Sequence, residues 1–319
     1  MIKKKCLVTG GAGFIGSHLA ECLVKQGHDV TVLDNFYREK PSFSIDPKIK
    51  IIEGSVVDEG KVEAIVSKHE IVFHMAAILG VRTTVSHPAE MIENNFLGTK
   101  NVLRSALRAG SKVIFASTSE VYGKAQPPFT ENMNILYGPT RKLRWSYGIG
   151  KALEESLCLA YAQKGLRLTI LRYFNIYGPR QKEGPYGGVI PRFIRAALKN
   201  GDIPVYGDGE QTRCFTYIDD AVEATVKAME KKADREIINI GTREETKINT
   251  LASLIKKLSQ SHSSITHIPF EKVYPDEFEE IYNRIPDSSK AEKYLQFEAK
   301  TSLGEGLLKT IRWYKNYLA

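Results

Sequence analysis

The sequence predicts an α/β fold, a doubly wound parallel sheet with a smaller α/β part towards the C-terminus. Three observations predict it. As far as about Arg172, short apolar runs rich in β-branched residues alternate with longer helical stretches, the pattern of repeated strand–helix–strand units. A cluster of glycines separates the first such run from the first helix. Past Arg172 the character changes towards glycine, proline and aromatic residues.

Cys6-Leu7-Val8-Thr9 reads as a short buried strand, Gly10 to Gly16 as a tight turn, and Ser17 to Lys25 as a helix. Glycines at 10, 11, 13 and 16 allow the turn and a close backbone approach to a pyrophosphate, while the helix N-terminus faces the negative charge. Val30 to Leu33 is the next strand, and it ends in Asp34. At that spacing a carboxylate accepts from the adenosine ribose hydroxyls of a dinucleotide and repels a 2′-phosphate, so NAD is expected rather than NADP. Asp34 also suits a plainer role as a strand-end turn residue.

A third strand, Lys50 to Glu53, leads to Asp58, which is placed either to meet the adenine edge or to cap the next helix. Ile71 to Met75 is a fourth strand, in which His74 reads as a packed, hydrogen-bonded residue; Ala76 and Ala77 are small enough to let backbone approach a cofactor. The long helix from Pro88 to Ala109 carries two adjacent poor helix formers, Asn94 and Asn95, which suggests a hydrogen-bonding task. Val113 to Ala116 is the fifth strand, ending in Ser117-Thr118-Ser119-Glu120. Strands of such a sheet deliver their C-terminal residues to the ligand crevice, so Thr118 offers a hydroxyl and Glu120 a carboxylate; ordinary turn chemistry is the other use of such residues.

Tyr147 and Lys151 lie four apart on one helix face, where the ammonium favours the ionised phenol. Free tyrosine titrates near ~10, so a neighbouring cation is needed for it to act as a base near neutral pH. Arg167 to Arg172 is the sixth strand, Gly187 to Pro191 opens a helix that runs to Leu198, Asp220 to Glu230 is a helix before a strand at 237–240, and Thr301 to Tyr314 closes the chain as an amphipathic helix.

Composition bounds the function classes. With 319 residues, 42% hydrophobic and 26% charged, the chain reads as globular and large enough for one domain and a smaller one. No apolar run approaches the ~20 residues of a membrane span, and the basic start is followed by glycines rather than by an export signal. Four cysteines without a Cys-x-x-Cys pair suggest neither zinc nor disulfides, so no metal is expected and a reducing cytoplasm fits. The formal charge of +8 is scattered without a basic tract, which argues against nucleic acid and for an anionic, diphosphate-bearing small substrate. No internal repeat is present.

With TGGAGFIG at 9–16, HMAA at 74–77, STSEVYG at 117–123, YGIGK at 147–151, LRYFNIYGPR at 171–180, YGDGEQTRCFTYIDDA at 206–221 and RIPDSSKA at 284–291, the sequence resembles the nucleotide-sugar epimerase/dehydratase branch of the extended short-chain dehydrogenases/reductases, of UDP-glucose 4-epimerase type, over nearly the whole chain. The resemblance implies a Rossmann domain at 1–174 plus about 215–243, and a nucleotide-sugar-binding domain at about 175–214 plus 244–319. It implies that NAD meets Gly10, Gly13, Phe14, Ile15, Gly16, Asp34, Asn35, Val57, Asp58, Ala76, Ala77, Asn95, Ser117, Tyr147, Lys151 and Tyr173. The substrate side would comprise Thr118, Asn175, Gly188, Val189, Pro204, Val205 and Tyr206, with Arg213 and Arg284 gripping the diphosphate.

The chemistry so implied begins with Tyr147 taking the sugar 4-hydroxyl proton while hydride leaves C4 for NAD, with Lys151 supporting the phenolate and Thr118 steadying the hydroxyl. The 4-keto sugar then has three fates: re-reduction on the other face by a 4-epimerase, elimination of water by a 4,6-dehydratase, or loss of carbon dioxide by a glucuronate decarboxylase. The tract RYFNIYGPRQ and the segment GGVIPRFI favour a UDP-hexose or UDP-hexuronate epimerase, whereas Glu120 is shared with decarboxylases and dehydratases. Residues 137–144 depart from the family's common approach to the tyrosine. A non-enzymatic NAD-sensing scaffold is the alternative of another class, and Tyr147 and Lys151 speak against it. The helices at 88–109 and 147–163 resemble the pair that builds a homodimer in the family.

Overall fold

The computed structural model describes residues 2–37, 40–41, 43–80, 86–182, 188–273, 279 and 281–318. Gly187, expected to open a helix, lies outside them. The strands are β1 (Lys5–Thr9), β2 (Asp29–Asp34), β3 (Lys50–Glu53), β4 (Ile71–His74), β5 (Lys112–Thr118), β6 (Leu168–Tyr173), β7 (Ile176–Tyr177), β8 (Ile203–Tyr206), β9 (Thr212–Cys214), β10 (Thr216–Tyr217), β11 (Ile237–Ile240), β12 (Glu245–Lys247) and β13 (Ile265–Ile268). The α-helices are α1 (Phe14–Lys25), α2 (Glu59–Val66), α3 (Pro88–Ala109), α4 (Ser146–Gln163), α5 (Val189–Leu198), α6 (Ile218–Lys227), α7 (Ile248–Ser259) and α8 (Leu303–Leu318).

Seven strands form one sheet in the order β11-β6-β5-β4-β1-β2-β3, and each neighbouring pair is parallel. Apolar runs such as Val72-Phe73 and Leu168 to Leu171 are buried because helices cover both faces. Strand order reverses between β1 and β4, where Thr9 stands opposite His74, so a crevice opens at the carboxyl ends of these two strands. The other strands pair two by two, β7 with β10, β9 with β12 and β8 with β13. One apolar cluster runs from Val8 and Leu171 in the main sheet to Phe193, Ile203 and Leu251, joining the small sheets to the large one. A second packs Leu7, Val72 and Phe115 against Val102 of α3 and Cys158 of α4.

Helix α3 has the expected limits. Helix α1 begins three residues earlier than expected, because the glycine turn closes at once, Gly13 N donating to Gly10 O at 3.1 Å. Helix α6 begins at Ile218, with Asp219 and Asp220 filling the first turn, where carboxylates suit the helix dipole. Among the described residues no helix is long and apolar enough to cross a membrane, and no cluster of His, Cys, Asp or Glu is arranged to hold a metal. All four cysteines are free thiols.

Candidate active site

The glycine turn sits under the crevice. Gly10 has φ +68°, and a Cβ there would come within 2.8 Å of the Ala76 backbone; a Cβ at Gly16 would collide with the Gly10 carbonyl. Gly13 is the N-cap of α1, no side chain caps this end, and no acidic residue lies in the first turn. A pyrophosphate at this helix end therefore meets no capping side chain and no carboxylate of the first turn, as NAD requires.

Several expected cofactor residues are engaged with the protein itself. Asp34 accepts from Ala12 N at 3.0 Å and Phe36 N at 2.8 Å, so it ties the glycine turn to the end of β2, with one lone pair per oxygen left for a ribose. Asp58 takes the capping alternative, accepting from Lys61 N at 3.0 Å at the start of α2. Val57 holds an exposed side chain, and its carbonyl accepts from Asn101. Asn35 accepts from Tyr37 N. Asn95 clamps both N and O of Ile78, at 2.7 and 2.9 Å, which is the task its poor helix propensity suggested. At two further expected positions the side-chain hydroxyl is engaged within the protein, which leaves the backbone to a cofactor. The Ser117 hydroxyl donates to Glu155 at 2.5 Å, a buried carboxylate that Arg172 also holds. Tyr173 is buried, its hydroxyl paired with Thr225 at 2.6 Å and its ionisation pushed up by burial.

Beyond the ends of β4 and β5 the chemical groups gather. Lys151 is buried; its Nζ donates to Ala116 O and to Glu154 Oε2, both at 3.2 Å, and lies 4.6 Å from the centre of the Phe115 ring. Tyr147 is half-buried one turn earlier on the same helix. Thr118 ends β5 and accepts from Glu120 N at 3.2 Å, which keeps its own O–H available. Helix α4 lies so close to the turn Ser119–Tyr122 that a Cβ at Gly148 would come 2.5 Å from the Glu120 carbonyl, so glycine at 148 lets the helix that carries Tyr147 seat against this turn.

A cleft of about 250 Å³ opens next to this turn. It is lined by the expected Glu120, Asn175, Gly188, Val189, Tyr206, Arg213 and Arg284. Asn175 is held in the left-handed region, at φ +42°, with its amide donating to Cys214 O. Pro204 is half-buried on the same side of β8 as Tyr206, whereas Val205 points into the core and leaves only its backbone to a ligand.

Glu120 lies between two buried guanidinium groups, with Arg144 at 2.8 Å and Arg284 at 2.5 Å. Burial alone would raise its titration, but Arg144 and Arg284 outweigh it and hold the carboxyl far below the usual range. The triad carries a net positive charge at the inner wall of the cleft.

The profile of the NAD dependent epimerase/dehydratase family matches residues 6–241. The chain belongs to this family. It is 58% identical to a UDP-N-acetyl-alpha-D-glucosaminuronate decarboxylase of Bacillus cytotoxicus over 98% of both chains. Among solved structures it matches UDP-glucose 4-epimerase of Thermotoga maritima with UDP-glucose, at 35% identity and TM-score 0.89 over 99% of this chain and 100% of that one. It also matches UDP-glucuronic acid 4-epimerase of Bacillus cereus, in complex with UDP-glucuronic acid and NAD, at 31% identity and TM-score 0.87 over 98% and 99%. The fold is that of the family, NAD is the cofactor, and a nucleotide sugar is the substrate class.

Within this family frame, sequence reasoning missed three residues. Arg144 sits in the stretch that departs from the common approach, and that departure was its only signal. Arg192 lies with its guanidinium 3.9 Å from the centre of the Tyr206 ring and faces the cleft from α5. Gly148 was visible only as the second residue of YGIGK.

Proposed function

We propose that this protein is an NAD-dependent decarboxylase of a UDP-hexuronate, of UDP-N-acetylglucosaminuronate type, rather than the 4-epimerase that the sequence motifs favoured. One observation carries the reading: Glu120 is held ionised between Arg144 and Arg284, so two cations meet one anion where the sugar ring is expected. A neutral hexose leaves this surplus charge unanswered. A uronate brings the missing carboxylate on C5, and guanidinium forks match its geometry. The 58% identity to a decarboxylase of that substrate supports the same choice.

NAD, when bound, would supply the acceptor and later the donor of the hydride at sugar C4. Tyr147 takes the proton from the 4-hydroxyl, with the Lys151 ammonium one turn away, and Thr118 donates to the same oxygen. The 4-keto uronate is a β-keto acid, so the C5–C6 bond breaks, carbon dioxide leaves, and C5 takes a proton from solvent. Arg284, expected at the diphosphate but bonded to Glu120, joins Arg144 in holding the carboxylate until it leaves; Thr118 and protonated Tyr147 hydrogen-bond the oxygen that gains charge. Asn175, Arg213 and the N-terminus of α5 face the cleft where the diphosphate is seated.

Incubation with UDP-N-acetylglucosaminuronate, UDP-glucuronate, UDP-N-acetylglucosamine and UDP-glucose tests the reading. Loss of carbon dioxide from a uronate, read by mass, is the expected result; unchanged mass with a new 4-epimer by NMR replaces it with the epimerase reading. The epimerase stays as the second reading because both solved relatives described above carry that name. Ordered binding with no turnover on all four would favour the sensing scaffold.

The NAD part is assigned to 1–174 plus about 215–243 and the sugar part to the remainder, in keeping with a cleft lined mostly from 175–213 with Ile248, Phe270 and Arg284, to which the NAD part adds Glu120, Arg144 and Phe215. A homodimer through α3 and α4 is supported by the exposed Ile92, Leu97, Ile149 and Leu153 on these packed helices. Four free cysteines suit the cytoplasm.

A further inference from the structure

Glu154 is 1% exposed, three residues beyond Lys151, and no step above uses it. Its Oε2 accepts from Lys151 Nζ at 3.2 Å and from Thr99 Oγ1 at 2.6 Å. The groups behind Thr99 fix the direction of every hydrogen in the chain. A carboxylate only accepts, so the Thr99 O–H donates to it, and His74 Nε2 at 3.1 Å must donate to Thr99. His74 is wholly buried and stays neutral, since burial and then the charge of Lys151 push its pKa down to about 3. Its Nδ1 therefore carries no hydrogen and accepts from the Thr9 O–H at 2.7 Å, while Thr9 Oγ1 accepts from Ala76 N at 3.3 Å. The donors thus run one way, from the crevice between β1 and β4 to the carboxylate that faces Lys151.

We infer that Glu154 is a positioning residue of the Tyr147–Lys151 pair: anchored by this donor chain, it aims the Lys151 ammonium and offsets part of its charge, and so sets the pH at which Tyr147 gives up its proton. The other charged groups nearby are already answered. Glu155 on α4 is paired with Arg172 of β6, Glu120 of the neighbouring turn with Arg144 and Arg284, and His74 of β4 is neutral. Among the described residues Glu154 is the carboxylate bonded to Lys151.

The inference rests on Tyr147 as the base, which the proposed function also uses, but not on which sugar is bound. Its test therefore needs no turnover. Ultraviolet titration of NAD-loaded protein, each variant subtracted from its own Tyr147→Phe counterpart, reads the Tyr147 phenolate directly. Glu154→Gln leaves the Lys151 charge less opposed, and the phenolate is expected to form about one pH unit lower. Glu154→Asp, whose carboxylate is drawn back by one methylene, shifts it the same way by less. If the glutamine variant does not fold, the aspartate variant decides. An unmoved phenolate titration in the folded variants, with only thermal stability reduced, overturns the inference; failure to decarboxylate any uronate would instead sink the proposed function and leave this titration readable.

Discussion

In the proposed reaction Arg144 and Tyr147, three residues apart, act on the sugar's carboxylate and on its 4-hydroxyl. Tyr147→Phe keeps the ring and removes the proton acceptor; turnover is expected to fall about 10²–10⁴-fold, with nucleotide-sugar affinity retained by calorimetry. Arg144→Gln leaves Arg284 to hold Glu120, so the surplus charge is lost; KM for a uronate should rise about tenfold or more, while affinity for neutral UDP-glucose stays the same. His74 predicts the acid side of stability. Its folded pKa, about 3, lies below that of the unfolded chain, so the unfolded state binds more protons and the stabilisation, complete above ordinary histidine titration near ~6.5, is lost as pH falls towards the folded value. Thermal melts from neutral to acid pH should show a shallower decline in His74→Gln than in the parent.

At the scale of elements, α4 is the organising piece. It rests on the turn Ser119–Tyr122 through Gly148 and on β6 through the buried pair Glu155–Arg172. Gly148→Ala should cost about 1–3 kcal/mol by overpacking against the Glu120 carbonyl, measured by urea unfolding. Glu155→Ala leaves the buried Arg172 charge without its carboxylate, and a loss of about 3–5 kcal/mol is expected. Element identity was legible because apolar runs and helical stretches alternate with clear turn signals; α3 even has its expected ends. The ends of α1 and α6 were not, since they depend on how tightly a turn closes and on which residues a neighbouring strand leaves free.

At the scale of the whole molecule, one apolar core runs between the large sheet, which carries the glycine turn, and the small sheets, which help line the cleft beside Glu120. If α3 and α4 pair with a second copy, Leu153→Arg, a charge on a half-exposed apolar position, should turn a dimer into a monomer in sedimentation velocity without loss of fold. Local pattern alone determined the glycine turn, the parallel sheet, and the placing of Tyr147 and Lys151 one turn apart on one helix, because each depends on residues close in sequence. Only the tertiary structure decided that Glu120 lies between Arg144 and Arg284, that the Ser117 and Tyr173 hydroxyls are taken by Glu155 and Thr225, and that Glu154 stands against Lys151 at the end of a hydrogen-bond chain. Those outcomes depend on which distant side chains share a buried volume, where an unpaired charge is costly, and spacing along the chain carries no record of that.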